Sequence, residues 1–112
     1  MILPHAQLIG AVLRHKPPMF LASEEVTAKA LVEQALEDIA AVKRSPLYNM
    51  AAIVAVMRYG IYGDLGKTLE AIAAQCEKTR EYVRQAEIKA LGWLAYRLPL
   101  AQLDELAGHA SA

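Results

Sequence analysis

Apolar residues recur along this chain at three- and four-residue intervals with polar breaks between the runs, a pattern that predicts helices throughout. Pro4 to Arg14 reads as a short helix with Leu8, Ile9, Val12 and Leu13 on one side, stopped by "HKPP". Ser23 is the expected N-cap of a second helix, with Glu24 and Glu25 in its positive first turn. Its apolar stripe runs through Ala28, Leu31, Val32, Ala35, Leu36, Ile39 and Val42, and it is expected to end in Lys43 and Arg44. Ser45 before Pro46 is a second capping signal, so a third helix should span about Pro46 to Tyr59, with Gly60 as its terminating glycine. The loop "GIYGDLG" follows. Thr68 then caps "LEAIAAQ", "CEK" makes the connection, and Thr79 caps a helix that runs to about Leu98, before Pro99. Leu100, Leu103 and Leu106 suggest one last short helix, and fraying is expected from Gly108.

The expected fold is therefore all-α, a compact bundle of five or six helices, and 112 residues suffice for one domain with a single modest core. Composition agrees: Ala, Leu, Ile and Val dominate, aromatics are few, and Gly and Pro sit at the joints. Formal charge is zero, so the overall balance announces neither a nucleic-acid nor a membrane surface. Its distribution adds a detail. Residues 58 to 98 carry seven basic and five acidic side chains, a mild positive excess around the last long helix. Cys76 is alone, which excludes an intramolecular disulfide and fits a reducing compartment. The apolar run "MAAIVAVM" is too short to span a bilayer, and the opening "MILPHAQLIGAVLRHK" lacks the marks of a signal peptide. A cytoplasmic location without membrane attachment is expected.

The segment "TREYVRQAEIKALGWL", residues 79 to 94, carries the chemistry. On a helical wheel Val83, Ala86, Ala90 and Leu94 share one face, with Leu91 at its margin. The other side opens with Arg80, Glu81, Arg84, Gln85 and Ile88. Leu69, Ile72, Ala73 and Cys76 of the preceding helix supply the matching seam, and the small Ala73 permits close approach. Two helices joined by a short turn, the second opening with polar side chains, form a helix-turn-helix. In that motif the first two turns of the second helix meet base edges in the major groove. Arginine pairs bidentately with guanine, glutamine with adenine, and a carboxylate accepts from cytosine. Lys67 and the amides after Thr68, together with Thr79, are placed to meet phosphates.

Residues 54 to about 98, with "MRYGIYGDLGKTLEAIAAQCEKTREYVRQAEIKALGWL" at their centre, resemble region 4 of the sigma-70 family of bacterial RNA polymerase sigma factors. The specific part is "TRExxRQxExKAL". The resemblance implies that the helix-turn-helix binds a minus-35 promoter element in double-stranded DNA, and that an apolar side grips the flap of the polymerase beta subunit. Arg80, Glu81, Arg84 and Gln85 stand at the family's base-contacting positions, Lys89 at one that faces the DNA backbone, and Thr68 at a helix cap near a phosphate. On this reading residues 1–45 are a helical extension without an assigned role, 46–107 are the region 4-like unit packed with it, and 108–112 are the frayed tail. Nothing resembles the promoter-melting region of a sigma factor, so a stand-alone regulator of phage or plasmid type is expected.

Departures from the family pattern qualify that expectation. Gly92, Trp93 and Ala95 stand where the family carries Arg or Lys, Lys78 replaces an apolar residue that plugs the turn, and Tyr82 replaces an arginine. Each lost phosphate partner removes a counterion-release contribution to affinity. Trp93, with Tyr82, is instead a candidate protein contact. A second function class therefore stays open: a protein-interaction module that binds RNA polymerase or another regulator as an antiterminator, sigma-appropriating factor or inhibitor, with little DNA readout of its own. Homodimerisation is a further way for one recognition helix to gain affinity.

The plainer readings stand beside these. Arg80 with Arg84 and Glu81 with Gln85 also suit a solvated helix face. "GDLGKT" lacks the first glycine and preceding strand of a phosphate loop. His5, His15 and His109 have no partner at metal-ligand spacing and read as surface residues, and Glu33, Glu37 and Asp38 read as a solvated acidic face. No nucleophile, acid-base pair, metal cluster or cofactor motif is present, so no enzyme activity and no cofactor are expected.

Overall fold

The computed structural model describes residues 4–14, 16–42, 46–63 and 65–103. Among them are five helices and no strand: α1 (Pro4–Leu13), α2 (Ala22–Ala40), α3 (Pro46–Tyr59), α4 (Leu69–Cys76) and α5 (Arg80–Arg97). A further helical turn opens at residues 100–103 and buries Leu103 completely. The expectations for Lys43, Arg44, Ser45, Asp64, His15, Leu106 and the tail with His109 fall outside the described residues.

Three starts and stops differ from the periodicity. Helix α2 ends at Ala40, with Ala41 as its C-cap and Val42 beyond the helix, because the chain turns there toward α3, short of the Lys43 and Arg44 expected to close it. The residue capping α2 is Leu21, not Ser23, which lies inside the first turn. Glu24 supplies the reason: its carboxylate reaches back to accept from the Leu21 N–H at 3.0 Å, so the helix opens without a capping hydroxyl. Cys76 closes α4, and the connection is Glu77 to Thr79 rather than 76 to 78. Glu77 makes the turn in the left-handed region at φ 55, and the Lys78 N–H returns to the Ala73 carbonyl at 2.9 Å. Gly60 ends α3 as expected, at φ 64, with the Ile61 N–H on the Val56 carbonyl at 3.2 Å.

Packing places α3 and α5 at the centre. Leu8 and Ile9 of α1, Val32 and Ile39 of α2, and Leu94 of α5 join one buried cluster. Val54, Leu69, Ile72, Ala73, Val83 and Ala86 form a second one between α3, α4 and α5. Each large aliphatic side chain buried this way contributes about 1.5–3 kcal/mol. The nearly continuous apolar sequence of α3 follows, because Ala51, Ala52 and Ala55 meet the first cluster while Val54 meets the second. Asn49 closes the corner between α2 and α3: with its amide nitrogen turned inward it donates to the Val42 carbonyl at 2.9 Å and the Ala40 carbonyl at 3.0 Å.

His5 is a correction. It is buried, only 2% exposed, with Nε2 3.4 Å from the Glu33 carboxylate and Nδ1 without a partner. Its position one turn before Leu8 and Ile9 puts it on the inner face of α1, against α2. Burial lowers its pKa, and the Glu33 carboxylate opposes that shift in part. Glu33 is accordingly a partner of α1 and not merely a solvated acid.

Candidate nucleic-acid interface

Both helices of the candidate motif begin at a threonine whose hydroxyl is committed to its own backbone. Thr68 Oγ1 accepts from the Ala71 N–H at 3.1 Å, and Thr79 Oγ1 accepts from the Tyr82 N–H at 3.0 Å. Beneath them Ile72 and Ala73 of α4 pack with Val83 and Ala86 of α5, as the wheel predicts. Cys76 lies half-buried against the same cluster.

The loop before α4 is held down by contacts of different kinds. The Lys67 N–H donates to the Met57 carbonyl at 3.0 Å, and Arg58 Nη1 donates to the Lys67 carbonyl at 3.1 Å. Gly66 permits this closeness, since a Cβ there would sit 2.6 Å from the Arg58 carbonyl oxygen. Arg58 Nε also meets the Glu87 carboxylate of α5 at 3.2 Å, which Tyr59 Oη approaches at 3.5 Å. Burial, and next the charge of Glu87, push the Tyr59 hydroxyl up to about 12. Through Arg58 and Glu87, α3 orients both the loop and the last long helix.

Above this base Arg80, Glu81, Arg84 and Gln85 occupy the first two turns of α5, and Arg80, Arg84 and Gln85 each donate to a carboxylate, that of Glu70 or of Glu81. Arg80 Nε meets Glu70 of α4 at 2.5 Å. Glu81 accepts from Arg84 Nε at 2.9 Å and Nη2 at 2.7 Å, and from Gln85 Nε2 at 3.1 Å. Hydrogen bonds from Arg84 and then from Gln85 pull the Glu81 carboxyl down to about 2. The amide at the start of α4, and next Arg80, hold Glu70 below its usual range. These pairs are open to water, with the Arg84 side chain 42% exposed and Glu81 63%. Exposed pairs of this kind hold weakly, so exchange for another acceptor costs little. The two-pronged grip of Arg84 on a carboxylate is also the geometry that matches the paired acceptors of guanine.

The remaining candidates are distributed around this tip. Lys67 Nζ donates to Gln75 Oε1 at 2.8 Å on the exposed side of α4. Lys89 lies over the Tyr48 ring at 5.7 Å, and Lys78 over the Tyr82 ring at 5.2 Å. Trp93 is half-buried: its Nε1–H donates to the Ala35 carbonyl of α2 at 3.0 Å, and its ring stands edge-on to Tyr48 at 6.2 Å. Its indole is thus a tie between α5 and α2. On the outer side of that tie a groove of about 480 Å³ is lined by Tyr48, Ile88, Lys89, Gly92, Trp93 and Tyr96, with Gln85 at its end.

The local pattern did not signal Glu70, Arg58, Glu87 or Tyr48, because each meets its partner across at least ten residues of chain. Among the described residues no group of three His, Cys, Asp or Glu side chains could hold a metal ion, and no helix is long and apolar enough to cross a membrane. No protein-family model, curated protein or solved structure matches the chain.

Proposed function

We propose that this chain is a DNA-binding transcription regulator that lays the start of α5 in a major groove and reads a minus-35-like site. The observation that supports the reading best is the gathering of Arg80, Glu81, Arg84 and Gln85 on two exposed turns, backed by a capped, close-packed helix pair. On binding, Arg84 leaves Glu81 for the acceptor edge of guanine, Glu81 accepts from cytosine, and Gln85 pairs with adenine. Lys67, Lys89, the amides that follow Thr68 and the start of α5 at Thr79 meet phosphates on either side, while the threonine oxygens keep their caps. One recognition helix has a small footprint, so RNA polymerase or a second copy acts as co-binder.

A labelled minus-35 consensus duplex, compared with a scrambled duplex by fluorescence anisotropy at two salt concentrations, tests this. The consensus should bind more tightly. Arg84→Ala should lose about 1–3 kcal/mol of discrimination at one base pair, and an unchanged preference in that variant would sink the reading. The second reading, a protein-interaction module for polymerase or another regulator, draws support from the aromatic groove beside the polar tip. Salt-sensitive but unselective binding would favour it and make purified polymerase the next ligand.

A further inference from the structure

The groove on the distal half of α5 combines exposed apolar side chains with cations that pair with no carboxylate among the described residues. Ile88 is 49% exposed and Tyr96 85%, and with Gly92 between them they form one stripe at four-residue spacing. Nothing lies within 4 Å of where a Gly92 Cβ would stand, so the floor is open. Lys89 rests on Tyr48 and Arg97 rests on Trp93, 4.6 Å from the ring centre, and among the described residues no acidic side chain lines the groove. A surface with uncompensated positive charge around an apolar floor calls for an apolar occupant with an acidic edge.

Such a segment exists on this chain. Residues 17–21 form no regular element before α2, with Pro18 buried and Phe20 half-buried, while Met19 and Leu21 are 70% and 54% exposed. Val26 follows at 68%, and Glu24 and Glu25 lie between. Glu24 is spent on the Leu21 amide through one oxygen, and Glu25 pairs with no described residue. Lys29, the nearest base on α2, lines a different pocket with His5 and Glu33. The chain cannot fill its own groove: Trp93 is tied to Ala35, and Leu21 lies fourteen residues back along the same helix, about 20 Å away.

We propose that residues 19–26 of one copy dock in the α5 groove of a second copy, with Met19, Leu21 and Val26 on the aromatic floor and Glu24 and Glu25 facing Lys89 and Arg97. Methionine against aromatic rings is a favourable contact, and a net charge of zero leaves no long-range repulsion between copies. The contact joins two different surfaces, so each chain offers both halves of it. It does not rest on the DNA readout proposed above, although Lys89 is shared, so the second copy and a phosphate compete for that one side chain.

Sedimentation of the full chain from low micromolar to millimolar concentration tests it, with the emission of the single tryptophan as a second reading. The wild type should associate as concentration rises, with Trp93 emission shifting to the blue. Glu25→Lys and Arg97→Glu should each weaken association by more than about tenfold, because like charges then face each other. An equal mixture of the two variants should recover it, since both possible contacts regain opposite charges. Met19→Asp should weaken association and gain nothing on mixing with Glu25→Lys, whose segment is also spoiled, but should regain one intact contact on mixing with Arg97→Glu, and circular dichroism establishes that each variant is folded. A wild type that stays monomeric throughout, association indifferent to these substitutions, or a mixture that does not recover would each overturn the proposal.

Discussion

Replacing Gly66 by alanine tests the account of how α4 and α5 are positioned. The added Cβ would stand 2.6 Å from the Arg58 carbonyl oxygen, whereas real Cβ atoms essentially never come within 3.0 Å of a neighbour. That neighbour is backbone inside α3, so relief requires the loop and helix to part by several tenths of an ångström. Parting them weakens the bond from the Lys67 amide to Met57 and the bond from the Arg58 guanidinium to the Lys67 carbonyl. A neutral backbone bond is worth about 1 kcal/mol net and one from a charged donor about 1.5–3 kcal/mol, so losing both costs about 2–4 kcal/mol. Urea unfolding followed by circular dichroism should register this as a midpoint lowered by roughly 1–3 M. The other glycines set the scale. Gly92→Ala, in a helix with open space around it, should stabilise by about 0.5–1 kcal/mol. Gly63→Ala meets no atom but must hold φ at 101, so its loss should reflect backbone strain alone, about 1–2 kcal/mol. A Gly66→Ala protein that unfolds at the wild-type midpoint would refute the close approach and the anchoring drawn from it.

Other substitutions probe separate parts of the argument. Glu77→Gly relieves a left-handed glutamate and should raise stability by about 0.5–1 kcal/mol in the same urea experiment; a loss would mean that Glu77 contributes something its backbone geometry does not reveal. Trp93→Phe removes the donor to the Ala35 carbonyl and should cost about 1–2 kcal/mol, whereas an unchanged midpoint would mean that the tie between α5 and α2 carries no stability. His5 has a folded pKa below its ordinary 6.5, so the folded state resists its protonation. Its contribution to stability is full above pH 6.5 and is lost as pH falls below that through the folded pKa. Titration of the His5 ring by NMR should therefore give a midpoint below 6.5, and one at or above it would contradict the burial.

Some features of this molecule are local and were readable from neighbouring residues. The threonine caps of α4 and α5, the glycine after α3, and the seam of Val83, Ala86, Ala90 and Leu94 depend on a few successive dihedrals or on the helical period. Even there Leu21 replaced Ser23 as a cap, because Glu24 satisfied the opening amide in another way. The polar tip was equally legible as a set of residues on one face. Its internal pairing was half legible: Glu81 reaches Arg84 and Gln85 within a single turn, but Glu70 comes to Arg80 from the neighbouring helix.

What a sequence determines alone is therefore what can be settled within a turn or two of chain: which segments are helical, where they start, and which side of each is apolar. The tertiary structure decided which helix meets which. It buried His5 beside Glu33, joined Arg58 to Glu87, spent the Trp93 N–H on Ala35, and pressed Gly66 against α3. Those partners lie far apart along the chain, and no periodicity encodes a distance between two helix axes; only close packing of their apolar faces sets it.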